Sequence, residues 1–170
     1  MRCGESMFQI RAMQHGDIET VMQIQAECYV LDAIEPQSTF IDRLHTSPKT
    51  AWVVEDTLGV CAYLVGYYST VGNITPLGGR FKPTLSNCLY LHDLAILPRV
   101  AGQRLGVTLV NTALSQQPDH IQYTALVSIQ NSVSFWQKIG FETQALDTDQ
   151  TENLQTYPQP AFYMLKRLIK

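Results

Sequence analysis

The sequence has no excess of positive charge, and this absence limits the partners it can have. Lysine and arginine number 12 against 15 aspartate and glutamate residues, which gives a formal net charge of −3 at pH 7. A protein that binds nucleic acid through its phosphates needs clustered basic side chains to neutralise them. We therefore expect no nucleic-acid partner.

Long hydrophobic runs and closely spaced cysteines are also missing. The longest apolar stretch, residues 60–68, is far shorter than the ~20 residues that a membrane-spanning helix needs. The first residues contain no apolar segment typical of a signal peptide. The four cysteines, Cys3, Cys28, Cys61 and Cys88, form no CxxC pair. These observations predict no membrane partner, no metal site, no disulfide framework and a cytoplasmic location.

The alternation of apolar and polar segments predicts a single domain, residues 1–170, of the α/β (α+β) class. A chain of 170 residues fits one domain. Strands alternate with helices only in part, which is typical of a mixed sheet with helices on both faces. Periodicity and turn residues predict strands at 7–13, 51–55, 60–69, 88–97, 121–129, 141–142 and 161–168, and helices at 17–30, 36–45, 101–116 and 132–139.

The junction at 94–106 is the first segment with chemical meaning. Pro98 ends a predicted strand, and Gly102 and Gly106 lie at the start of the next helix. The first turn of a helix exposes backbone N–H groups at the positive end of the dipole, so it binds phosphate without many cations. The Walker lysine and GxGxxG patterns are both missing. On its own, the segment is equally compatible with an ordinary turn that the glycines permit.

Residues 131–141, NSVSFWQKIGF, form a second segment one strand later. Together the two segments resemble the GNAT superfamily of acetyl-CoA-dependent N-acetyltransferases. The first resembles its pyrophosphate-binding motif, the second resembles its helix–Lys–x–Gly–Phe signature, and the order of elements matches along the whole chain. The resemblance implies a mostly antiparallel central sheet, splayed between strands 88–97 and 121–129, with acetyl-CoA bound in the gap.

The resemblance also implies which residues hold the cosubstrate. Pantetheine would lie along Leu94, Ala95 and Ile96 like an added strand, because the diverging neighbour leaves backbone groups there unpaired. An amide near Leu94 would polarise the thioester carbonyl. The other implied cofactor-binding residues are Ala101, Gly102, Gln103, Arg104, Leu105 and Gly106 at the pyrophosphate, with Asn131 and Trp136 nearby. Asn131 is equally a candidate cap of the helix 132–139.

The chain departs from the family pattern at three positions in these segments. The family usually has Gln or Arg at the position of Ala101, and Gly at that of Arg104. It commonly has a tyrosine, the proton donor to the thiolate, at the position of Trp136. An indole N–H donates a hydrogen bond but is no acid at neutral pH. Trp136 is therefore a candidate for packing on pantetheine, for hydrogen bonding or for core filling.

His92 and Tyr90 are the candidate catalytic residues. In a regular strand His92 shares a face with Tyr90 and Leu94, while Asp93 points to the opposite face as a structural acceptor. The string HDLAI resembles the strand of arylalkylamine N-acetyltransferases in which a histidine acts as base. His92 matches that histidine, and Tyr90 stands where a second one is found. The structural alternative is a partly buried histidine bonded to the backbone.

The proton donor to the thiolate is not identified by these patterns, because the matching position holds an indole. Other phenols in the chain are candidates, and the sequence does not choose among Tyr90, Tyr123, Tyr157 and Tyr163.

The resemblance implies direct transfer of an acetyl group from acetyl-CoA to a primary amine, and the match at His92 favours a small molecule. The helices 17–30 and 36–45, the loop 70–87 and the segment 147–160 would bind this acceptor. Acidic residues there either attract an ammonium ion or form a solvated helix face; they are Glu27, Asp32, Glu35 and Asp42.

Two alternative functions remain at this point. One is a non-catalytic domain that binds or senses acyl-CoA, and the other is acetylation of protein N-termini or lysines. A homodimer through the terminal strand 161–168, taken as an edge of the sheet, is a further expectation.

Overall fold

The computed structural model describes residues 7–80 and 86–168, and its centre is one sheet of seven strands. The strands are β1 (Gln9–Ala12), β2 (Ala51–Asp56), β3 (Gly59–Ser69), β4 (Cys88–Ile96), β5 (Tyr123–Ser128), β6 (Glu142–Thr143) and β7 (Phe162–Arg167). Their order in space is β1-β2-β3-β4-β5-β7-β6. All neighbours are antiparallel except β4 and β5, which run parallel.

Helices cover both faces of this sheet. They are α1 (Ile18–Cys28), α2 (Gln37–Thr46), α3 (Leu105–Ser115), α4 (Val133–Lys138) and α5 (Thr148–Leu154). Ile24 and Phe40 bring α1 and α2 onto one face, whereas Leu109 and Trp136 bring α3 and α4 onto the other. The predicted fold class, a mixed and mostly antiparallel sheet between helical layers, is confirmed. No helix among the described residues is long and apolar enough to cross a membrane.

The predicted elements all have counterparts, with ends displaced by a few residues. The helix predicted from residue 101 begins only at Leu105, because Ala101 is extended and Gly102 and Arg104 have positive φ values, 80° and 60°. The helix α5 was not predicted, and none of its residues is buried, so no apolar periodicity marks it. Part of the predicted loop 70–87 and the thiol of Cys3 lie outside the described residues.

A β-bulge interrupts the pairing of β3 with β4. Val65 pairs with Asp93, but the next residue, Gly66, pairs with Leu91, so His92 is the extra residue of the bulge. An extra residue of this kind breaks the regular alternation of side chains between the two faces.

The bulge changes the direction of the side chains that follow it. His92 and Asp93 both point to the face covered by α1, where Asp93 accepts a hydrogen bond from Tyr63 and His92 lies beside Tyr90. Leu94 packs on the opposite face with the α3 layer. The prediction that His92 shares a face with Leu94 and opposes Asp93 is therefore wrong.

The strands β4 and β5 separate soon after they start. They pair only through residues 88–90 and 123–125, while β4 stays paired with β3 along its length. Beyond Tyr90, the edge of β4 that faces β5 has no strand partner among the described residues. The predicted splay between these two strands is confirmed.

The last strand is not an edge of the sheet. β7 lies between β5 and β6, and Leu165 and Met164 pair with Glu142 and Thr143 on its far side. The expectation that the terminal strand is the edge of the sheet is therefore wrong, because the two-residue β6 pairs on its outer side, and the homodimer stays a prediction.

The bulge predicts a strict requirement for glycine on the neighbouring strand. A Cβ atom added to Gly66 would lie 2.8 Å from the carbonyl oxygen of Tyr90. We expect the Gly66→Ala substitution to lower the free energy of unfolding by about 1–3 kcal/mol, measured by urea denaturation. Gly16→Ala is the control, because a Cβ there meets nothing within 4 Å. Equal destabilisation by both substitutions would contradict the close approach.

Candidate functional site

A cavity of about 550 Å³ occupies the gap between the diverging strands β4 and β5. It extends from the turn before α3 to the segment between α1 and α2. Of the sequence-predicted site residues, those that line the cavity are His92, Leu94, Ala95, Ile96, Ala101, Gly102, Arg104, Leu105, Gly106 and Trp136. Tyr90, Gln103 and Asn131 are outside the lining.

The turn before α3 places an arginine in an unusual backbone conformation. Arg104 occupies the N-cap position with φ 60° and ψ 18°, which is the left-handed region that favours glycine. Holding an L-residue there costs of order 1 kcal/mol or more. The side chain is exposed and has no ion pair or hydrogen bond among the described residues. Its free charge thus lies beside the first amides of α3, where an anion is favoured.

The two motif segments of the sequence pack directly against each other. A Cβ atom added to Gly106 in α3 would lie 3.2 Å from the ring of Phe135 in α4. The ring of Trp136 packs edge-on against Phe135 and Phe141, with centroids 4.9 and 5.3 Å away. Trp136 is therefore part of the core while it also forms part of the cavity wall.

On the edge of β4 that faces the gap, two backbone carbonyls already accept hydrogen bonds from residues at the end of α1. The Tyr29 hydroxyl donates to the carbonyl of Leu94 at 2.8 Å, and the Cys28 thiol donates to that of Ile96 at 3.2 Å. The expectation that these groups are unpaired is wrong for the two carbonyls. Each carbonyl oxygen has a second lone pair, so it retains one acceptor position toward a ligand.

A buried carboxylate, Glu35, holds the ring of His92. The His92 Nε2 atom lies 2.7 Å from Oε1 of Glu35, and the two side chains are only 2% and 3% exposed. Arg43 forms a bidentate ion pair with the same carboxylate, and both N···O distances are 2.7 Å. The histidine is therefore bonded to a carboxylate and not to the backbone.

Further contacts fix Glu35 itself in position. The backbone N–H of Gly78 donates to Oε2 at 2.5 Å. The side-chain amide of Gln25 pairs with the backbone N–H and carbonyl of Glu35, at 2.9 and 3.0 Å. Residues from α2, β4 and the segment after β3 thus meet at the carboxylate of Glu35, and α1 holds its backbone.

The charge state of Glu35 determines the roles of the two ring nitrogens. Burial alone would raise the pKa of Glu35, but His92 and Arg43 outweigh burial and hold that pKa well below its usual range. An ionised carboxylate only accepts hydrogen bonds, so Nε2 of His92 is the donor. In the neutral ring the lone pair is then on Nδ1, which is buried and has no hydrogen-bond partner in the part of the chain that the structure describes.

Three tyrosines surround the imidazole ring. Tyr67 and Tyr90 stack with centroids 5.1 Å apart, and His92 lies about 6 Å from both. Tyr157 lines the cavity and donates to the Thr75 carbonyl at 2.7 Å, while its oxygen lies 3.4 Å from that of Tyr90. Burial raises the pKa of Tyr90 and of Tyr157, so both phenols remain protonated. Of the alternative donors Tyr90, Tyr123, Tyr157 and Tyr163, only Tyr157 is in the cavity lining that the structure describes.

Sequence reasoning treated Glu35 as one acid among several and did not single out Arg43. The interpretation as a solvated helix face is wrong for Glu35, because its side chain is buried. The only local signal was the eight-residue spacing of Glu35 and Arg43 across the start of α2. The contacts to Gly78 and His92 span 43 and 57 residues, so no pattern in a short window contains them.

The comparisons with known proteins agree with this architecture. The model of the acetyltransferase (GNAT) family matches residues 18–141. No curated protein matches the sequence. Ard1 from Thermoplasma volcanium is similar in structure, with TM-score 0.71, 18% identity, and coverage of 97% of this chain and 100% of that one.

Two further solved structures have the same fold at 13% identity. The GNAT-like decarboxylase GphF, in complex with isobutyryl-CoA, has TM-score 0.79 over 95% of this chain and 100% of its own. The ribosomal-protein-S18-alanine N-acetyltransferase of Escherichia coli has TM-score 0.70 over 96% of each chain. These likenesses establish the fold, and they include a decarboxylase as well as an acetyltransferase.

The ion pair of Glu35 and Arg43 predicts a large effect for Glu35→Gln. This substitution keeps the shape but leaves the buried guanidinium without its counter-charge. We expect the free energy of unfolding at pH 7 to fall by about 3–5 kcal/mol in urea denaturation. Glu27→Gln, at an exposed position of α1, is the control and should change it by less than about 0.5 kcal/mol.

The same pair of variants gives a pH dependence of known sign. The pKa of Glu35 is lower in the folded state than in the unfolded chain, so its charge stabilises the fold above the unfolded value of ~4.3. That stabilisation is lost as the pH falls from there toward the folded pKa. The difference between the native protein and Glu35→Gln should therefore shrink below about pH 4.3. A difference that grows on acidification would contradict the ionised carboxylate.

Proposed function

The chain belongs to the acetyltransferase (GNAT) family, and we propose that it transfers the acetyl group of acetyl-CoA directly to the primary amine of a small molecule. The observation that carries the proposal is the cavity between β4 and β5, because it joins the anion-favouring turn of α3 to the ring of His92. An acetyl-CoA molecule bound along β4 would then have its phosphates at the turn before α3 and its thioester near His92.

The residues at the turn fit the phosphates of the cosubstrate. The first backbone amides of α3 lie at the positive end of the helix dipole, which favours an anion. Arg104 is the one lysine or arginine among the described residues that line the cavity. Its charge takes the place of the Gln or Arg that the family pattern has at Ala101. We assign residues 101–106 to the pyrophosphate, and Leu94, Ala95 and Ile96 to pantetheine.

His92 is assigned the proton transfer from the attacking amine. With Nε2 donating to Glu35, the Nδ1 atom accepts this proton directly or through one water molecule. Glu35 then stabilises the imidazolium, and Arg43 keeps Glu35 ionised. Tyr90 acts through its contact with Tyr157 and not by touching the reacting atoms.

The leaving thiolate has a donor but needs no acid in this scheme. The Trp136 side chain lines the cavity, and no hydrogen bond of its indole N–H is found among the described residues. That N–H is therefore assigned as a hydrogen-bond donor to the sulfur, which leaves as an anion.

Contacts that bridge the acceptor end support a small molecule and not a protein as substrate. The segment after β3 bonds to the α1–α2 segment through Gly78 and Glu35, and to the region of α5 through Leu77 and Thr156. It thereby connects the two segments that flank the acceptor end. An extended peptide needs an open groove at this place, whereas a small amine does not.

A second candidate is a non-catalytic domain that binds acyl-CoA. The near-complete burial of the His92 ring, 2% exposed, favours it, because a base must reach the reacting nitrogen. The two candidates share the cosubstrate site and differ in turnover.

Binding of acetyl-CoA is the first test of the cosubstrate site. At 100 times its dissociation constant the ligand should stabilise the fold by ~2.7 kcal/mol, a shift of several degrees in Tm, while NAD and ATP should not.

Arg104→Gly should raise the stability of the free protein by about 1 kcal/mol, because glycine adopts φ 60° without strain. It should also weaken acetyl-CoA binding roughly 10–100-fold through the lost charge. Arg104→Lys keeps both the charge and the strain and is the matched control. Unchanged affinity in Arg104→Gly would contradict the assigned phosphate contact.

Turnover of a primary amine separates the two candidates. His92→Ala should lower kcat by roughly 10²–10⁴-fold while acetyl-CoA binding stays within a few-fold. His92→Gln keeps an N–H donor for Glu35 without a base, so it should fold and lose activity equally. The exposed His120→Ala is the control. An unchanged rate across pH 6–9 in both His92 variants would overturn the assignment of the base.

A further inference from the structure

Two buried acceptor atoms at the acceptor end of the cavity have no hydrogen-bond donor in the part of the chain that the structure describes. They are Nδ1 of His92 and Oδ1 of Asp93, and both side chains line the cavity. A buried acceptor without a donor loses the bond that water makes to it in the unfolded chain, so such atoms are rare in folded proteins. Two of them in neighbouring residues at one cavity point to a ligand that brings donor groups.

The bulge in β4 places these two acceptors on one face of the sheet. In a regular strand, neighbouring side chains point to opposite faces. Here His92 is the extra residue of the bulge, so its side chain and that of Asp93 lie on the same face. Glu35 holds the first side chain and Tyr63 holds the second. The face that carries the candidate base therefore also carries a carboxyl group.

The two acidic side chains that line this end of the cavity, Glu35 and Asp93, differ in what they can still accept. An ionised carboxylate has about four lone-pair sites. Four hydrogen bonds already use those of Glu35. Oδ2 of Asp93 accepts from the Tyr63 hydroxyl at 2.7 Å, whereas Oδ1 accepts from no group among the described residues. Asp93 is therefore the carboxyl group that remains open to a ligand.

Asp93 also has no cationic partner. No lysine or arginine of residues 7–80 and 86–168 forms an ion pair with it. The groups that face it are the phenols of Tyr29 and Tyr63, the ring of His92 and the carboxylate of Glu35. A buried carboxylate is costly unless a cation pairs with it. An ammonium ion supplies both the missing charge and the missing donor.

The proton that such a pair needs is available from either side. Burial raises the pKa of Asp93, so this carboxyl group keeps its proton to a higher pH than an exposed one does. A neutral amine that meets the acid and an ammonium ion that meets the carboxylate give the same pair of ions. The contact therefore does not depend on which partner brings the proton.

We infer that Oδ1 of Asp93 binds the ammonium group of the acceptor, and that this contact makes the site specific for amines over neutral molecules of the same shape. The inference rests on the proposed acetyltransferase function and adds a specificity-determining residue to it. The same end of the cavity is lined by Ala33, Leu77 and the ring of Tyr157, which fit an apolar body on the amine.

The two acceptors account for both protons that the nitrogen loses. The ammonium group gives one proton to Nδ1 of His92, which frees the lone pair for attack, and a second N–H stays bonded to Asp93. The N–C bond then forms, and the C–S bond breaks with its electron pair on sulfur. The second proton passes to the carboxylate of Asp93, so the products are an amide and a thiolate beside an imidazolium and a carboxylic acid.

The test measures binding without turnover. The protein is loaded with CoA, which has no acetyl group to transfer, and calorimetry at pH 7 compares benzylamine and 2-phenylethylamine with the matching alcohols. The amines are cations at this pH, and each alcohol has the same skeleton without the charge. We expect at least one amine to bind roughly 10–100-fold more tightly than its alcohol, because hydrogen bonds between charged groups are stronger than neutral ones.

Two variants separate recognition of the amine from a structural role. Asp93→Asn keeps the shape and an acceptor for Tyr63 but removes the charge. It should weaken binding of the amine roughly 10–100-fold and change that of the alcohol by no more than a few-fold. Tyr63→Phe is the matched control, because it removes the buried hydrogen bond at Oδ2 and leaves Oδ1 in place. It should retain the preference for the amine.

The outcomes distinguish this inference from the acetyltransferase function. If neither amine binds the native protein more tightly than its alcohol, the inference is overturned, whatever the variants do. An equal loss of amine binding in Asp93→Asn and Tyr63→Phe also overturns it, because the role of Asp93 is then structural. A preference that disappears in Asp93→Asn alone supports the inference even if no amine is acetylated, in which case only the proposed turnover fails. Acetylation with the same KM in the native protein and Asp93→Asn contradicts the inference and leaves the acetyltransferase function in place.

Discussion

The buried carboxylate of Glu35 is the interaction on which the rest of the site depends. One ionised group receives hydrogen bonds from α2, from the bulge of β4 and from the segment after β3. A carboxylate in this position is tolerable only because each of its acceptor sites has a donor. The consequence is that three segments distant in sequence hold fixed positions around the histidine. Loss of Arg43 would leave an unbalanced charge in the interior, and loss of another donor would leave one acceptor site of the carboxylate unsatisfied.

The bulge in β4 has two consequences that are connected. It turns His92 and Asp93 to the same face, and it lies where β4 loses its pairing with β5. In a regular strand Tyr90, His92 and Leu94 would share one face, and Asp93 would lie on the other. The extra residue instead leaves the imidazole and Asp93 on the face of Glu35 and Leu94 on the face of α3. The close approach of Gly66 to the Tyr90 carbonyl shows how tightly the neighbouring strand follows this distortion.

Local signals were sufficient for the fold but not for the centre of the site. Apolar alternation in the strands predicted the class, and the family resemblance carried by the two Gly-containing segments implied the splay and the position of the cavity, because each of these patterns is contained in a short window. The bulge carries no such signal, since its requirement for glycine falls on Gly66 in the neighbouring strand. Glu35 is a single acid in a loop, and its partners His92 and Gly78 are brought to it only by the tertiary fold. The helix α5 was missed because its exposed residues have no apolar periodicity.

The left-handed conformation of Arg104 indicates how the chain compensates for its departure from the family pattern. Glycine at this position would satisfy the backbone without strain, and a cation at Ala101 would satisfy the phosphates. The chain has neither, and it holds the cation at the strained position itself, with φ 60°. Strain that the surrounding structure maintains is more readily explained by a ligand than by folding, because folding alone favours glycine there. The same reasoning applies to the other end of the cavity. A buried ion pair that satisfies every acceptor of Glu35 adds little net stability over an apolar core, so its value lies in the geometry and charge it imposes on the cavity beside it.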